Sequence, residues 1–296
     1  MVMHAAKHDD LDGFRAAVRQ AMTEHGWAEP LWMETRPDDT GAGLAREAVR
    51  SGVDLVLASG GDGTISACAS GVAGTEVPLG ALPCGTGNLL ARNLGLPLCL
   101  DQALTVALTG CDLRLDVGTA NGRVFVVMAG IGFDAEMLGG ASEELKARFG
   151  WTAYVLSALR HLGDRPVRVR LSADGGPPWR FWASGVVVGN LGSLQGGVRL
   201  LPDAVPDDAV LDVAVLAAGG WAGWLRLAAD VLLRRKTGRI SHLACSELLV
   251  DVGRAWPWEV DGEIAGFTRQ LDIAVQPGTL LFRVPGQRAP SSRRSA

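Results

Sequence analysis

Leu11, Phe14, Val18 and Met22 recur every three to four residues, the spacing of one buried face of a helix. A second helix is predicted from Thr40, with Leu44, Ala45, Ala48 and Val49 turned inward. Short apolar runs at residues 53–58 and 77–82 suit strands buried on both faces, and each leads into a glycine-rich turn followed by another helical stretch. Repeated strand and helix order predicts an open, mostly parallel sheet covered by helices, with ligands bound outside the carboxyl ends of its strands.

From about Leu113 the pattern changes. Residues 122–128, 167–171, 179–188, 210–216, 248–252 and 271–275 read as strands separated by Gly, Pro and Asp turns. Helical patterns interrupt them at residues 143–162 and 221–236. The expected fold is therefore an α/β N-terminal domain over residues 1–114, then a β-rich sandwich over 115–284. The Ser, Arg, Pro and Gly-rich tail, residues 285–296, is expected to be disordered.

Composition narrows the class. With 48% hydrophobic residues and a net charge of -4, the 296-residue chain can build a real core, which disfavours a disordered or nucleic-acid-binding protein. Five cysteines without CxxC or Cys/His metal spacing suggest thiols in a reducing compartment. Residues 1–10 carry two His, a Lys and two Asp, unlike a signal peptide or an anchor, so a cytoplasmic protein is expected. No apolar run approaches the ~20 residues that cross a bilayer, so any membrane contact is expected to be peripheral.

The candidate chemistry begins at Gly60-Gly61-Asp62-Gly63-Thr64, which follows the first buried strand and enters a helix at Ile65 and Ser66. Glycines let the backbone approach a ligand closely, and N–H groups at a helix start face an anion, so this segment has the physics of a phosphate cradle. Asp62 would repel phosphate unless a divalent cation intervenes or the carboxyl handles a proton. After the next strand comes Pro83-Cys84-Gly85-Thr86-Gly87-Asn88, then Leu89-Leu90-Ala91-Arg92. Thr86 and Asn88 offer side-chain hydrogen bonds and Arg92 a fixed charge, so both turns can converge on one nucleotide. The Gly-Lys-Ser/Thr ending of an ordinary P-loop is absent.

These two segments together resemble the catalytic domain of bacterial diacylglycerol kinases and sphingosine kinases. Gly130-Ile131-Gly132-Phe133-Asp134-Ala135, Asp207-Asp208 and Asp261-Gly262-Glu263 continue the resemblance over roughly residues 30–285. It implies an N-terminal lobe that binds ATP, a C-terminal sandwich that shapes a lipid site, and catalysis between them. It places Thr35, residues 60–66 and Thr86 near the nucleotide. Two departures stand out: the usual Asn-Pro turn is replaced by His4-Ala5, and the usual Asp-Asp-Gly turn reads Asp207-Asp208-Ala209. The first implies weaker nucleotide contact or a start lying further upstream. Ala209 is expected to distort its turn, because alanine resists positive φ.

The resemblance makes Glu263 the first candidate for general base in phosphoryl transfer to an alcohol, with Asp261 in the same proton and metal network. Asp62 joins that network through water and Mg2+, or is itself the base. Asp208, with the carbonyls of Val205 and Val210, is the expected oxygen site for a structural Mg2+. Asp134 or Glu136 meets the lipid head group or simply ends a strand. The acceptor is expected to be diacylglycerol, with a sphingoid base or other long-chain alcohol as the alternative, and an inactive lipid-binding regulator as the rival class. A homodimer is left open.

For membrane contact, Trp221, Trp224, Leu225, Ala228 and Leu232 recur at helical spacing and precede Arg234, Arg235, Lys236 and Arg239. This stripe either lies on anionic lipid or packs on the sandwich with its basic end complementing the helix dipole.

Overall fold

The computed structural model describes residues 1–132, 166–193, 199–218, 223, 226 and 240–286. They divide into two units, one formed by Met1–Val117 with the chain from Pro277 onward, the other by Gly118–Gln276.

The first unit contains, in order, β1 (Val2–Met3), α1 (Leu11–Glu24), β2 (Met33–Glu34), α2 (Ala42–Arg50), β3 (Val56–Gly60), α3 (Asp62–Val72), β4 (Leu79–Pro83), α4 (Leu89–Leu94) and α5 (Leu100–Thr109). Then follow β5 (Cys111–Ala120), β6 (Arg123–Phe125), β7 (Met128–Ile131), β8 (Val167–Ala173), β9 (Trp179–Ala183), β10 (Gly185–Gly189), β11 (Leu211–Leu216), β12 (Ile240–Cys245), β13 (Glu247–Val260) and β14 (Glu263–Val284).

In the first unit β4, β3, β1 and β2 are neighbours in that order, and every pairing is parallel. The end of β14 extends this sheet in parallel, with Phe282 opposite Leu79. All five residues of β3 and of β4 are buried, as their apolar runs require. Phe14, Val18 and Met22 of α1 pack with Met3, Leu57, Leu82 and Leu104. Asp10 starts α1 by accepting the Gly13 N–H at 2.9 Å, an N-cap interaction.

In the second unit β12, β11, β10, β7, β13 and β14 follow one another, and the pairings are antiparallel. β8 pairs with β13, and β9 pairs with β8. Alternation places Val169, Leu171, Leu248, Val250, Val252, Leu271 and Ile273 in a single apolar core.

Two predicted strands are each interrupted. The run 122–128 divides into β6 and β7 because the N–H groups of Val126, Val127 and Met128 all donate to the Asp261 carboxylate instead of a strand ladder. The run 179–188 divides at Ser184, whose N–H donates to the Leu216 carbonyl and whose hydroxyl donates to that of Ala218. The helical pattern at 143–162 and, apart from Gly223 and Arg226, that at 221–236 lie outside the described residues, as does the stripe from Trp221 to Arg239 with that same exception. No helix among the described residues is long and apolar enough to cross a membrane.

Glu259 is the exceptional polar group of β13. Its Oε2 is buried without a hydrogen-bond partner among the described residues. Burial, reinforced by the nearby Asp261 charge, pushes its carboxyl from an ordinary value of 4.5 to about 7. A raised folded-state value means that the protonated form favours folding. The contribution is complete below pH 4.5 and is lost as pH rises to about 7. Glu259→Gln, which keeps the shape and removes the charge, should therefore stabilise the protein at pH 8 by ~2–3 kcal/mol. It should change little at pH 4.5, so denaturant midpoints at the two pH values check the sign. Equal effects at both would show that Glu259 is not held neutral.

Candidate active site

The parallel register aligns Met3, Ser59 and Leu82 near the carboxyl ends of β1, β3 and β4, so the turns that follow these three strands share one edge of the sheet. The first turn, Gly60 to Thr64, passes directly into α3, with Gly61 as N-cap. The second runs from Cys84 to Asn88, where Asn88 takes φ 47° and starts α4. Its ends are tied by the Asn88 side chain, which accepts the Gly85 N–H at 2.9 Å and donates to the Gly85 carbonyl at 2.7 Å.

The two turns touch. A Cβ on Gly85 would lie 2.7 Å from the Gly61 Cα and 3.0 Å from Asn88 Oδ1, so neither turn tolerates a side chain at Gly85 without opening. A Cβ on Gly60 would lie 2.6 Å from the Thr64 side chain. The Cys84 N–H donates to the Gly60 carbonyl at 2.9 Å. Asp62 joins the turns from the side-chain end, accepting the Leu89 N–H at the start of α4. It thus caps a helix from 27 residues away. Burial raises the Asp62 carboxyl above its ordinary value, while the N–H groups of Leu89, Leu90 and Asn88 and the charge of Arg92 oppose the rise.

Around this junction Thr64, Ile65 and Ser66 are buried, and the Ser66 hydroxyl has no hydrogen-bond partner among the described residues. Thr86 and Arg92 are exposed, with Arg92 Nε donating to the Gly87 carbonyl at 3.0 Å. Thr35 is half-buried, and its N–H donates to the Met3 carbonyl, which sets it beside the end of β1. Gly63 lies in the first turn of α3. The residues expected at the nucleotide therefore lie on or next to one edge of the first unit, where glycines at positions 60 and 85 let the two turns pack against Thr64 and against each other.

Three residues not singled out from sequence belong to the same edge. Ser59 Oγ lies 3.1 Å from His8 Nε2 and 3.6 Å from Cys84 Sγ. His8 stacks on Phe14 with ring centroids 3.8 Å apart. Burial pushes the Cys84 thiol up and the His8 imidazole down, which favours neutral forms of both. For Ser59 and Cys84 the sequence signal was simple adjacency, since each immediately precedes the first glycine of its turn, Gly60 or Gly85.

The second unit holds the remaining acids. Asp261 and Gly262 have φ 48° and 85° and join β13 to β14 in a two-residue hairpin turn, which matches the preference of Asp-Gly for such turns. The Asp261 carboxylate accepts Val126, Val127 and Met128 N–H groups at 2.9 to 3.0 Å. Its own N–H donates to the Met128 carbonyl at 2.8 Å. Glu263, next along the turn, is exposed.

At the other acidic turn, Asp208 Oδ1 accepts the Val210 N–H at 3.2 Å. Ala209 does enter the left-handed region at φ 61°, which costs about 1–2 kcal/mol for a residue with a Cβ. Val205 lies in the same loop, and the oxygen donors there suit a hard cation chemically. No group of three or more His, Cys, Asp or Glu able to hold a metal is found among the described residues. Asp134 and Glu136 lie outside them.

Residues 4–120 match the diacylglycerol kinase catalytic domain, and residues 126–283 match the YegS C-terminal NAD kinase beta sandwich-like domain. A probable lipid kinase YegS from Salmonella arizonae is 29% identical over 255 residues, covering 81% of either chain. At the level of fold, a putative diacylglycerol kinase from Bacillus anthracis superposes with a TM-score of 0.81 at 24% identity, covering 96% of this chain and 93% of that one. A yeast NADH kinase is more distant, with a TM-score of 0.53 at 14% identity over 97% and 84% of the two chains. The chain thus carries both domains in order and belongs to the diacylglycerol kinase family.

Proposed function

We propose that this protein is an ATP-dependent lipid kinase that transfers the γ-phosphoryl group to a lipid hydroxyl, with diacylglycerol as acceptor and phosphatidic acid as product. The observation that carries the reading is the pair of glycine turns in van der Waals contact, with Asp62 bridging them. The ATP phosphates are taken to lie along this edge, because N–H groups at the start of α3 and the Arg92 guanidinium supply positive potential there. Gly60, Gly61, Gly63, Gly85, Thr64, Thr86 and Asn88 line the phosphates, with Thr35, Ile65 and Ser66 around them. Mg2+ bound with the nucleotide would screen phosphate charge, and Asp208 with the Val205 and Val210 carbonyls would hold a structural one.

Glu263 is the base that takes the acceptor proton, and its exposure in a tight hairpin is compatible with meeting a substrate. Asp261 is a positioning residue, since its carboxylate is engaged by three backbone N–H groups. The name of the Salmonella relative, probable lipid kinase YegS, supports the lipid acceptor. Incubating the protein with γ-labelled ATP, Mg2+ and a panel of lipids tests the reading directly. Label in diacylglycerol is expected, label in a sphingoid base alone would change the acceptor, and no labelled lipid would reject kinase activity.

Asp62→Asn should lower turnover ~100-fold or more, while leaving an oxygen to accept the Leu89 N–H and hence a nearly unchanged melting temperature. Near-normal turnover would remove Asp62 from the chemistry. Glu263→Gln should depress kcat while ATP affinity, read by titration, stays within about twofold of wild type. Lost ATP affinity with an intact maximal rate would contradict its role as base. Asp261→Ala strands three backbone donors and should cost ~3 kcal/mol or more of stability together with turnover. A variant of full stability and activity would show that this anchor is dispensable.

A further inference from the structure

The β8–β9 hairpin has two unlike faces. Val169 and Leu171 turn into the core, whereas Arg168, Arg170, Arg180 and Trp182 occupy the outward positions. The register sets Arg168 opposite Trp182 and Arg170 opposite Arg180. Trp182 is 61% exposed, and the Arg168 guanidinium lies 5.6 Å from its ring centroid.

This face is poorly explained by folding. Like charges directly opposite each other destabilise an antiparallel pair, so Arg170 against Arg180 opposes the hairpin it belongs to. Asp251 of β13 compensates little, because its carboxylate is 3.8 Å from Arg170 and both side chains are about half exposed. A large indole left mostly in water gains little from burial. Among the described residues, three guanidinium groups against the Asp251 carboxylate also form a basic island on a chain of net charge -4. An anionic layer with an apolar interior would satisfy both features, since arginine suits phosphate and tryptophan suits the headgroup level.

We propose that the outward face of the β8–β9 hairpin docks on an anionic membrane, with Arg168, Arg170 and Arg180 on lipid phosphates and Trp182 in the headgroup layer. The occupant is a lipid surface because the lipid acceptor proposed above is dissolved in one, and the docking inference rests on that reading. The contact is electrostatic in its larger part, so it weakens as salt is raised.

The test is sedimentation of the full chain with phosphatidylcholine vesicles, with and without phosphatidylglycerol, in the absence of ATP. Wild type should sediment with the anionic vesicles only. Substituting Arg168, Arg170 and Arg180 together by Gln should weaken that binding roughly 100-fold, taking about fivefold for each charge. The matching Lys triple variant should bind within a few-fold of wild type, and Trp182→Ala should bind more weakly at unchanged melting temperature. Turnover on a short-chain soluble acceptor should be unaffected in all of them. Equal vesicle binding by wild type and the folded Gln variant overturns the proposal, as does self-association of the Gln variant without loss of vesicle binding, which would make the arginines guards of an edge strand. Because binding is read without phosphoryl transfer, charge-dependent binding by a protein that labels no lipid would sink the kinase reading and leave the docking face standing.

Discussion

The hydrogen bond from the Leu89 N–H to the Asp62 carboxylate is the constraint on which the first unit's functional edge depends. A six-residue helix such as α4 is too short to be stable alone, and its first N–H groups need acceptors. Asn88, in the left-handed region, does not supply one, because its side chain is committed to Gly85. Asp62 supplies it from the other turn. The same carboxylate therefore fixes the distance between two loops that meet at Gly61 and Gly85. Burial disfavours its charge, and the N–H donors and Arg92 offset that in part.

The second unit uses the same device. Asp261 gathers the N–H groups of Val126 and Val127, between β6 and β7, and of Met128, which opens β7, and in doing so interrupts what would otherwise be one strand. A carboxylate that accepts three backbone donors is held in one orientation, so the hairpin carrying Glu263 is held too. Glu259, on β13 two residues before Asp261, shows what happens to an acid there without such donors: burial raises its carboxyl to about 7.

Much of this was legible in the sequence where local physics decides. Apolar runs and glycine turns marked β3, β4 and their loops. What could not be read was decided at long range. The break between β6 and β7 comes from a residue about 133 positions away, and the cap of α4 from one 27 positions away. The proximity of His8, Ser59 and Cys84 follows from strand order, which no local pattern encodes. Ala209 shows the opposite limit: propensity predicts that alanine resists positive φ there, yet Ala209 adopts φ 61°, so the surrounding turn overrides the preference.

The return of β14 to the first unit has a consequence for how the protein is made. Phe282 pairs with β4, in a set of parallel strands, β1 to β4, that have all been synthesised by Pro83. At ~5–20 residues per second, about 200 further residues take ~10–40 s to leave the ribosome, and throughout that time β4 presents an open strand edge. The second unit, continuous from Gly118 to Gln276, is complete before the first one is. The nascent chain must therefore keep a half-built nucleotide unit from pairing with its neighbours on the same message, and a nonsense codon shortly before residue 277 would release that edge for good.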